Sequence, residues 1–436
     1  MKLINTTLLT FFLLLFLGNR QVFAHPMPNS IVLLNVHEKN IFGEIQLPLS
    51  ELQSAIGNSV NDNSEQLIER LGELLKKYLK DHIKPKTLDG KPWSIELGEM
   101  NLVETKSKLS GDYKELVVAF SMAPPINYDL RNFYFDYDVI LHNVASHKAI
   151  IAIKQDWQQG IVHEDSSVQE VGVIEWDIVN NNLKPFQISL DQGSWWLGFK
   201  SMVLLGIKHI SEGTDHLMFL FVLILPVPLL IENKKWGKKQ SLKISLIKIF
   251  KIVTAFTIGH SFSLLFGALN WIVLPTKPIE ILIGISILVS AIHAIRPIFP
   301  DKETYISLGF GLIHGLAFAF TLQDLSLNTT RMILSILGFN IGIELMQIFI
   351  IFITIPLLII ISRSKIYNPF KILGAFIGIL AALGWIFERI TDKSNFITEL
   401  INVLVSKPIF ILWGLLTLSL VSYFLRGGDS SKPISK

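Results

Sequence analysis

Two kinds of hydrophobic patterning divide the chain. Up to about residue 186, apolar and polar positions alternate over short runs, Ser30–Leu49, Lys114–Ser121, Asn132–Leu141 and His147–Gln155, with turn residues between them. A period of two predicts strands with one buried face. Ser64–His82 (SEQLIERLGELLKKYLKDH) instead carries apolar residues at helical spacing and predicts one amphipathic helix. Residues 25–190 therefore read as a small β-rich, sandwich-like domain with one helical insertion, without internal repeats or low-complexity tracts.

Past the pair Trp195-Trp196, suited to a membrane interface, the pattern becomes continuously apolar. Seven spans are predicted, at Asp215–Ile231, Phe250–Leu269, Ile279–Ile295, Tyr305–Leu322, Met332–Ile361, Phe370–Ile390 and Pro408–Leu425. An earlier stretch, Trp195–Ile210, is short, has Gly206 and Gly213 as breaks, and reads as a partial or re-entrant helix. The expected fold class is a multi-span α-helical membrane protein, residues 191–425, behind a β-rich domain, with a tail at 426–436.

The first residues read MKLINTTLLTFFLLLFLGNRQVFA, with Lys2 ahead of an apolar stretch of ten, Leu8–Leu17, and Val22-Phe23-Ala24 as a cleavage site. Ten residues are half of the ~20 that a spanning helix needs, so residues 1–24 are expected to be a signal peptide. The expected location is a bacterial inner membrane, with His25 at a mature N-terminus in the periplasm. There its free α-amine and imidazole offer a metal chelate, but Pro26 follows and no second ligand is visible, so His25 is not taken as a metal site.

Loop charge agrees with that orientation. With the soluble domain in the periplasm, the predicted cytoplasmic segments hold fourteen Lys and Arg, six of them between Lys234 and Lys248, against five in the predicted periplasmic connections. An excess of Lys and Arg marks cytoplasmic loops. The net charge of +3 is thus an orientation device, and the lysine-rich loop calls for no nucleic acid.

Composition narrows the chemistry further. Half of the 436 residues are hydrophobic, mean hydropathy is +0.46, and 17% are charged, against roughly a quarter in soluble domains; a disordered or nucleic-acid-coating chain is excluded. There is no cysteine, hence no disulfide, thiolate zinc site, iron–sulfur cluster or cysteine nucleophile. Metal ligands are restricted to His, carboxylate and amide groups.

Those groups sit in the apolar half, where ionisable residues are costly and suggest function by default. The first set is His209-Ile-Ser-Glu212-Gly-Thr-Asp215-His216. At 100° per residue, His209, Glu212 and His216 fall within about 60° on one helix face, with Asp215 to the side. Two imidazoles and carboxylates suit Ni²⁺, Zn²⁺ or Co²⁺. His260 and Ser261 follow in the next span, then Glu280 at an outer edge with Ser286, Ser290 and an interfacial His293, then His314 between Gly311 and Gly315. Asn340, Glu344 and Gln347, at i, i+4 and i+7, share a face beside the close-packing pair Gly338 and Gly342. Glu344 is the hardest to dismiss, since a lone carboxylate in an Ile/Leu/Phe span costs several kcal/mol unless paired, protonated or cation-bound. By depth, all could meet in one cavity open to the periplasm. The soluble domain's His37, His82, His142, His147 and His163 are scattered without ligand spacing and read as ordinary surface or strand residues.

The order HISEGTDHLMFL (209–220), FTIGHSFSLLF (256–266), EILIGISI (280–287), FGLIHGLAFA (310–319) and FNIGIELMQ (339–347) resembles the HupE/UreJ family of membrane proteins, more closely its branch with an exported β-rich domain. Trp385-Ile-Phe-Glu388-Arg389 fits that branch, and so, more weakly, does the His25-Pro26 start. The resemblance implies a secondary nickel permease or an accessory of nickel hydrogenases and ureases. It implies a metal path through His209, Asp215, His216, His260 and His314, with Glu344 as a further acidic member. The large exported domain and the span after Glu388 depart from what simple permeation needs.

The leading expectation is a transporter or handler of divalent transition metals. His209, Glu212, Asp215 and His216 would capture the ion, and His260, His314, Asn340 and Glu344 would pass it inward. Membrane lipid and the metal ion are the expected partners, with a periplasmic protein docking on residues 25–190. Two alternatives stay open: an intramembrane zinc hydrolase, in which three imidazoles, carboxylates and Ser261 activate water, and a metal-sensing or scaffold protein.

Overall fold

The computed structural model describes residues 28–427 except 58–59, 62, 108–110, 163–167 and 326; the signal peptide, His25, His163 and most of the tail lie outside the described residues. The chain forms two compact units. One takes in the chain up to Lys154 together with Ser167–Leu190; the other is Gln155–Ser166 with Asp191–Lys436.

The first unit is β-rich. Its elements are β1 (Ser30–Val36), β2 (Ile41–Pro48), α1 (Leu49–Ile56), α2 (Leu67–His82), β3 (Ile83–Lys86), β4 (Ser94–Ser107), β5 (Gly111–Ala123), β6 (Asn132–Tyr137), β7 (Lys148–Asp156), β8 (Gln169–Glu175) and β9 (Phe186–Ser189). Six strands make one sheet in the order β4-β5-β2-β1-β7-β8, and β3-β6-β9 make a second. Alternation decides which face is inside: in β1, Val32, Leu34 and Val36 are buried while their neighbours are half-exposed. The run Ser30–Leu49 is two strands rather than one, reversed where His37 N donates to Asn40 O at 3.0 Å. The expected single helix is joined by α1, which ends at Gly57, whose φ of 66° closes the helix with a bond to Gln53 O.

At the heart of this unit Ser30 Oγ lies 2.7 Å from His147 Nε2, and His147 Nδ1 lies 3.3 Å from Glu51 Oε2, the last two side chains being 1% exposed. Burial pushes the His147 imidazole down to about 4 and the Glu51 carboxyl up, so both are held toward their neutral forms. As the pH falls below 6.5, the unfolded chain takes a proton on this histidine that the folded chain refuses until about 4. Stability from His147 is thus present above that window and lost through it, by at most about 1.4 kcal/mol per pH unit. Glu51 works the other way, gaining stability as the pH falls. In thermal melts followed by the strand circular-dichroism signal, His147→Gln is expected to flatten the acid loss between pH 6.5 and 4, and Glu51→Gln to steepen it; parallel curves for the three proteins would refute this.

The second unit is helical: α3 (Trp195–Glu212), α4 (Thr214–Ile224), a hairpin of β10 (Leu229–Glu232) and β11 (Lys235–Lys239), α5 (Leu242–Ala268), α6 (Thr276–Ile295), α7 (Glu303–Asp324), α8 (Thr329–Ser362), α9 (Tyr367–Thr391), α10 (Phe396–Val405) and α11 (Pro408–Gly427). Among the described residues, five helices, α5 to α9, are long and apolar enough to cross a membrane, and the α10–α11 pair, bent by 75°, makes a sixth if it is one span.

The first of the seven expected spans is corrected. α4 stops at Ile224 after 11 residues, about 16 Å at 1.5 Å per residue, because Leu229–Glu232 turns back on Lys235–Lys239 through Asn233 and Lys234, both at positive φ. Conversely, Trp195–Ile210 is not broken at Gly206; it belongs to one 18-residue helix. Within the unit, α3 packs along α8, α5 along α7 and α6 along α9. Met202, Leu205, Leu264, Phe339 and Ile343 share one buried core.

Candidate metal centre

The break between α3 and α4 builds one wall of the site. Gly213 N still bonds to His209 O at 3.0 Å, but its ψ of 98° ends the helix there. A side chain would not fit: a Cβ on Gly213 would lie 2.5 Å from His209 O and 3.1 Å from His216 Nδ1. The single-helix reading of 209–216 therefore gives way to a bend, and its outcome differs from the helical wheel. Glu212 is exposed and faces Lys208 at 3.8 Å, whereas Asp215, expected to the side, opens α4 and accepts from His216 N at 2.9 Å.

Three imidazoles converge behind this bend. One ligand atom each from His209, His216 and His260 can be chosen so that all lie within 4.8 Å of one another. The ring centroids of His209 and His216 are 4.5 Å apart, and those of His209 and His260 are 6.3 Å apart. Each imidazole's orientation has a physical cause. Asp215 Oδ1 sits 3.0 Å from His216 Nδ1, so that nitrogen carries the proton and Nε2 keeps its lone pair. Asn340 donates its amide to Ile336 O at 2.8 Å, which leaves Oδ1 to accept from His260 Nδ1 at 3.2 Å. These assignments follow from the hydrogen-bond network. The Nε2 atoms of His209 and His260 are buried with no hydrogen-bond partner among the described residues. Orphaned buried nitrogens are rare unless something fills them, and a carboxylate or amide on the far nitrogen is how metal-ligating histidines are held. The donor set fits a divalent transition ion.

His314 extends the cluster. Its Nδ1 is 3.5 Å from His216 Nε2, and Ser286 Oγ is 2.9 Å from its Nε2. The sequence Asp215, His216, His314, Ser286 is thus a continuous polar line from α4 through α7 to α6. Phe256, Phe318 and Phe339 surround it, with Phe318 stacked on Phe339 at 4.2 Å, so the histidines work in an apolar collar where polar interactions are strong.

The acidic residues are distributed differently from the expectation. Glu344 does not join the three-histidine group; its two oxygens are each 2.6 Å from a hydroxyl, Thr254 Oγ1 and Thr257 Oγ1. Gln347 Oε1 stands 3.3 Å from the same Thr257. Glu280 pairs with Arg389, its Oε2 3.1 Å from Nε. Both line a polar cavity of about 290 Å³ together with Asp215, Trp385 and Glu388. Asp215 belongs to that cavity's wall and to the histidine cluster at once. Ser261 donates to Thr257 O at 2.7 Å, a bond within its own helix. His293, read as interfacial, is buried against Phe299 and lies 3.7 Å from Glu303. Thr254 was missed, and Thr257 was read only with His260 and not as a partner of Glu344; their signal was their place, one and two turns before His260.

Residues 186–389 match the family described as HupE / UreJ protein. That segment belongs to the HupE/UreJ family. No curated protein and no solved structure matches the chain. The HupE/UreJ segment contains every residue of the histidine cluster and both residues of the Glu280–Arg389 pair, and it ends before α10, at Arg389.

Proposed function

We propose that this HupE/UreJ chain moves divalent transition-metal ions, nickel first, with cobalt and zinc as alternatives, across a bacterial inner membrane. The observation that carries the reading is the pair of orphaned nitrogens, His209 Nε2 and His260 Nε2, buried beside His216. The ion is taken from the polar cavity at Asp215 and exchanges water for imidazole nitrogen at His209, His216 and His260. His314 and Ser286 continue the polar line inward. The association of the family with nickel and cobalt handling supports the choice of ion.

The loop charges favour a periplasmic soluble unit and a cytoplasmic C-terminus. In that orientation an inside-negative potential drives a divalent cation inward by about 4.6 kcal/mol per 100 mV. Glu280 and Arg389 form a charge pair on the cavity wall, next to the acid that receives the ion.

The test is ⁶³Ni²⁺ uptake into proteoliposomes. The wild type is expected to accumulate nickel under an inside-negative potential, and Asp215→Asn, which keeps an acceptor for His216 but loses the charge facing the cavity, to slow uptake by about 10- to 100-fold. No uptake by the wild type, or an unchanged rate for Asp215→Asn, refutes the reading. So does one zinc per chain that survives dialysis together with turnover of a lipid or peptide, the result that a hydrolase gives.

A further inference from the structure

His82 meets Asp138 and His142, 56 and 60 residues further along the chain, at one end of the smaller sheet of the β-rich unit. β3 and β6 run antiparallel with Ile83 opposite Tyr137, so the next positions outward are His82 and Asp138. The backbone joins there too, Asp138 N donating to His82 O at 3.1 Å. The chain then turns through Ile140, at φ 67°, and His142 N donates to Asp138 O at 3.1 Å. This one turn of helical bonding brings position i+4 back over position i.

The side chains follow from that backbone. His82 Nδ1 is 2.7 Å from Asp138 Oδ1, and His142 Nδ1 is 3.0 Å from Asp138 O. The two rings stack with centroids 4.1 Å apart. Tyr78 braces them: its ring is 4.6 Å from His82, and its hydroxyl accepts from Ile140 N at 2.9 Å. One ligand atom each from His82, Asp138 and His142 can be chosen so that all lie within 4.8 Å of one another. All three side chains are partly open to solvent.

We propose that His82, Asp138 and His142 form a second metal site, for a borderline divalent ion such as Zn²⁺, Ni²⁺ or Cu²⁺, separate from the intramembrane cluster. His142 has its δ nitrogen on the Asp138 backbone oxygen, which fixes the ring and leaves the ε nitrogen its lone pair, the support that metal-binding histidines have; His82 Nδ1 and the Asp138 carboxylate already face each other at 2.7 Å, and an ion takes the place of the proton between them. Two imidazoles and a carboxylate select transition ions over Mg²⁺ or Ca²⁺. Three protein ligands leave a coordination position open, as in exchangeable sites, whereas closed structural zinc sites have four. The histidines that read as isolated residues are thus a pre-arranged pair.

The test uses the full-length protein carrying His260→Gln, which disables the intramembrane cluster, so failure of one site is not read as failure of the other. Titrated with Zn²⁺ alone, this background is expected to bind one ion per chain and to gain thermal stability of its strand signal. Adding His142→Gln or, separately, His82→Gln is expected to weaken that binding by at least about 10-fold and to abolish the thermal gain, while Mg²⁺ gives none in any variant. Co²⁺ in the same background is expected to develop visible d–d absorption that both glutamine variants lose. A background that binds no zinc and shows no cobalt absorption, or glutamine variants that bind as tightly as their parent, overturns the proposal.

Discussion

His260→Gln is expected to weaken Ni²⁺ or Zn²⁺ binding at the intramembrane cluster by at least about 100-fold, at or beyond the upper end of the 10- to 100-fold that loss of an orienting partner costs. The glutamine amide is close to imidazole in size and retains a donor for Asn340 Oδ1, which faces His260 Nδ1 at 3.2 Å. What it removes is the lone pair of an Nε2 that is buried with no hydrogen-bond partner among the described residues. Glu344→Gln is expected to leave affinity within about 3-fold, because both of its oxygens are already satisfied by Thr254 and Thr257 at 2.6 Å, a scale at which a neutral change costs little. Competition against a chromophoric chelator in detergent measures both. If His260→Gln and Glu344→Gln have equal affinity, the ion is not held at the histidines.

That ordering separates what was legible in the sequence from what was not. His260, His314 and Asn340 stood out because a polar group inside an apolar span has to be explained, and counting along alternating spans put them at compatible depth. Glu344 stood out for the same reason, yet its explanation is two threonine hydroxyls, and nothing in the sequence pairs residues 254 and 257 of one helix with residue 344 of another. Gly206 and Gly213 both read as breaks, and only Gly213 is one; Gly206, 7 residues earlier, is passed without interruption, and the helical wheel was carried through the glycine that does end the helix. Asp215 and Glu212 exchange places as a consequence.

In the β-rich unit the misses have other causes. β4 was not read because its alternation changes phase at the irregularity between Leu97 and Met100, so one period-two template cannot fit both halves. The first hairpin strand, Leu229–Glu232, was absorbed up to Ile231 into the apolar run before it, and the second, Lys235–Lys239, was read as part of a lysine-rich loop. His82 and Asp138 are joined by strand register, and register is set by pairing partners that periodicity does not identify. The small-residue pairs, by contrast, were legible, and they locate the helices that carry the ligands.

Gly311→Ala is expected to damage the metal centre although Gly311 supplies no ligand atom. A Cβ at Gly311 would lie 2.1 Å from Phe256 O and 2.9 Å from His260 N, and one at Gly315 would lie 2.3 Å from His260 O. From the facing side, a Cβ at Gly259 would lie 2.1 Å from Leu308 O. These backbones touch where α5 presents His260 and α7 presents His314. The same device holds α3 to α8, where Cβ atoms at Gly206 and Gly342 would meet Phe339 O at 2.0 Å and Val203 O at 2.1 Å, next to His209 and Asn340. A methyl group at Gly311 must push the helices apart by about 1 Å to reach ordinary contact, an overpacking cost of about 1–3 kcal/mol, and it parts the imidazoles by a similar amount. Gly309 lies on the same helix with nothing within 4 Å of its Cβ position, so Gly309→Ala removes a glycine of equal helix propensity without the clash. In detergent, Gly311→Ala is expected to melt several degrees lower and to bind Ni²⁺ at least about 10-fold more weakly, while Gly309→Ala matches or slightly exceeds the wild type in stability. Matching behaviour of the two variants would mean that helix contact at glycine does not set the spacing of the histidines.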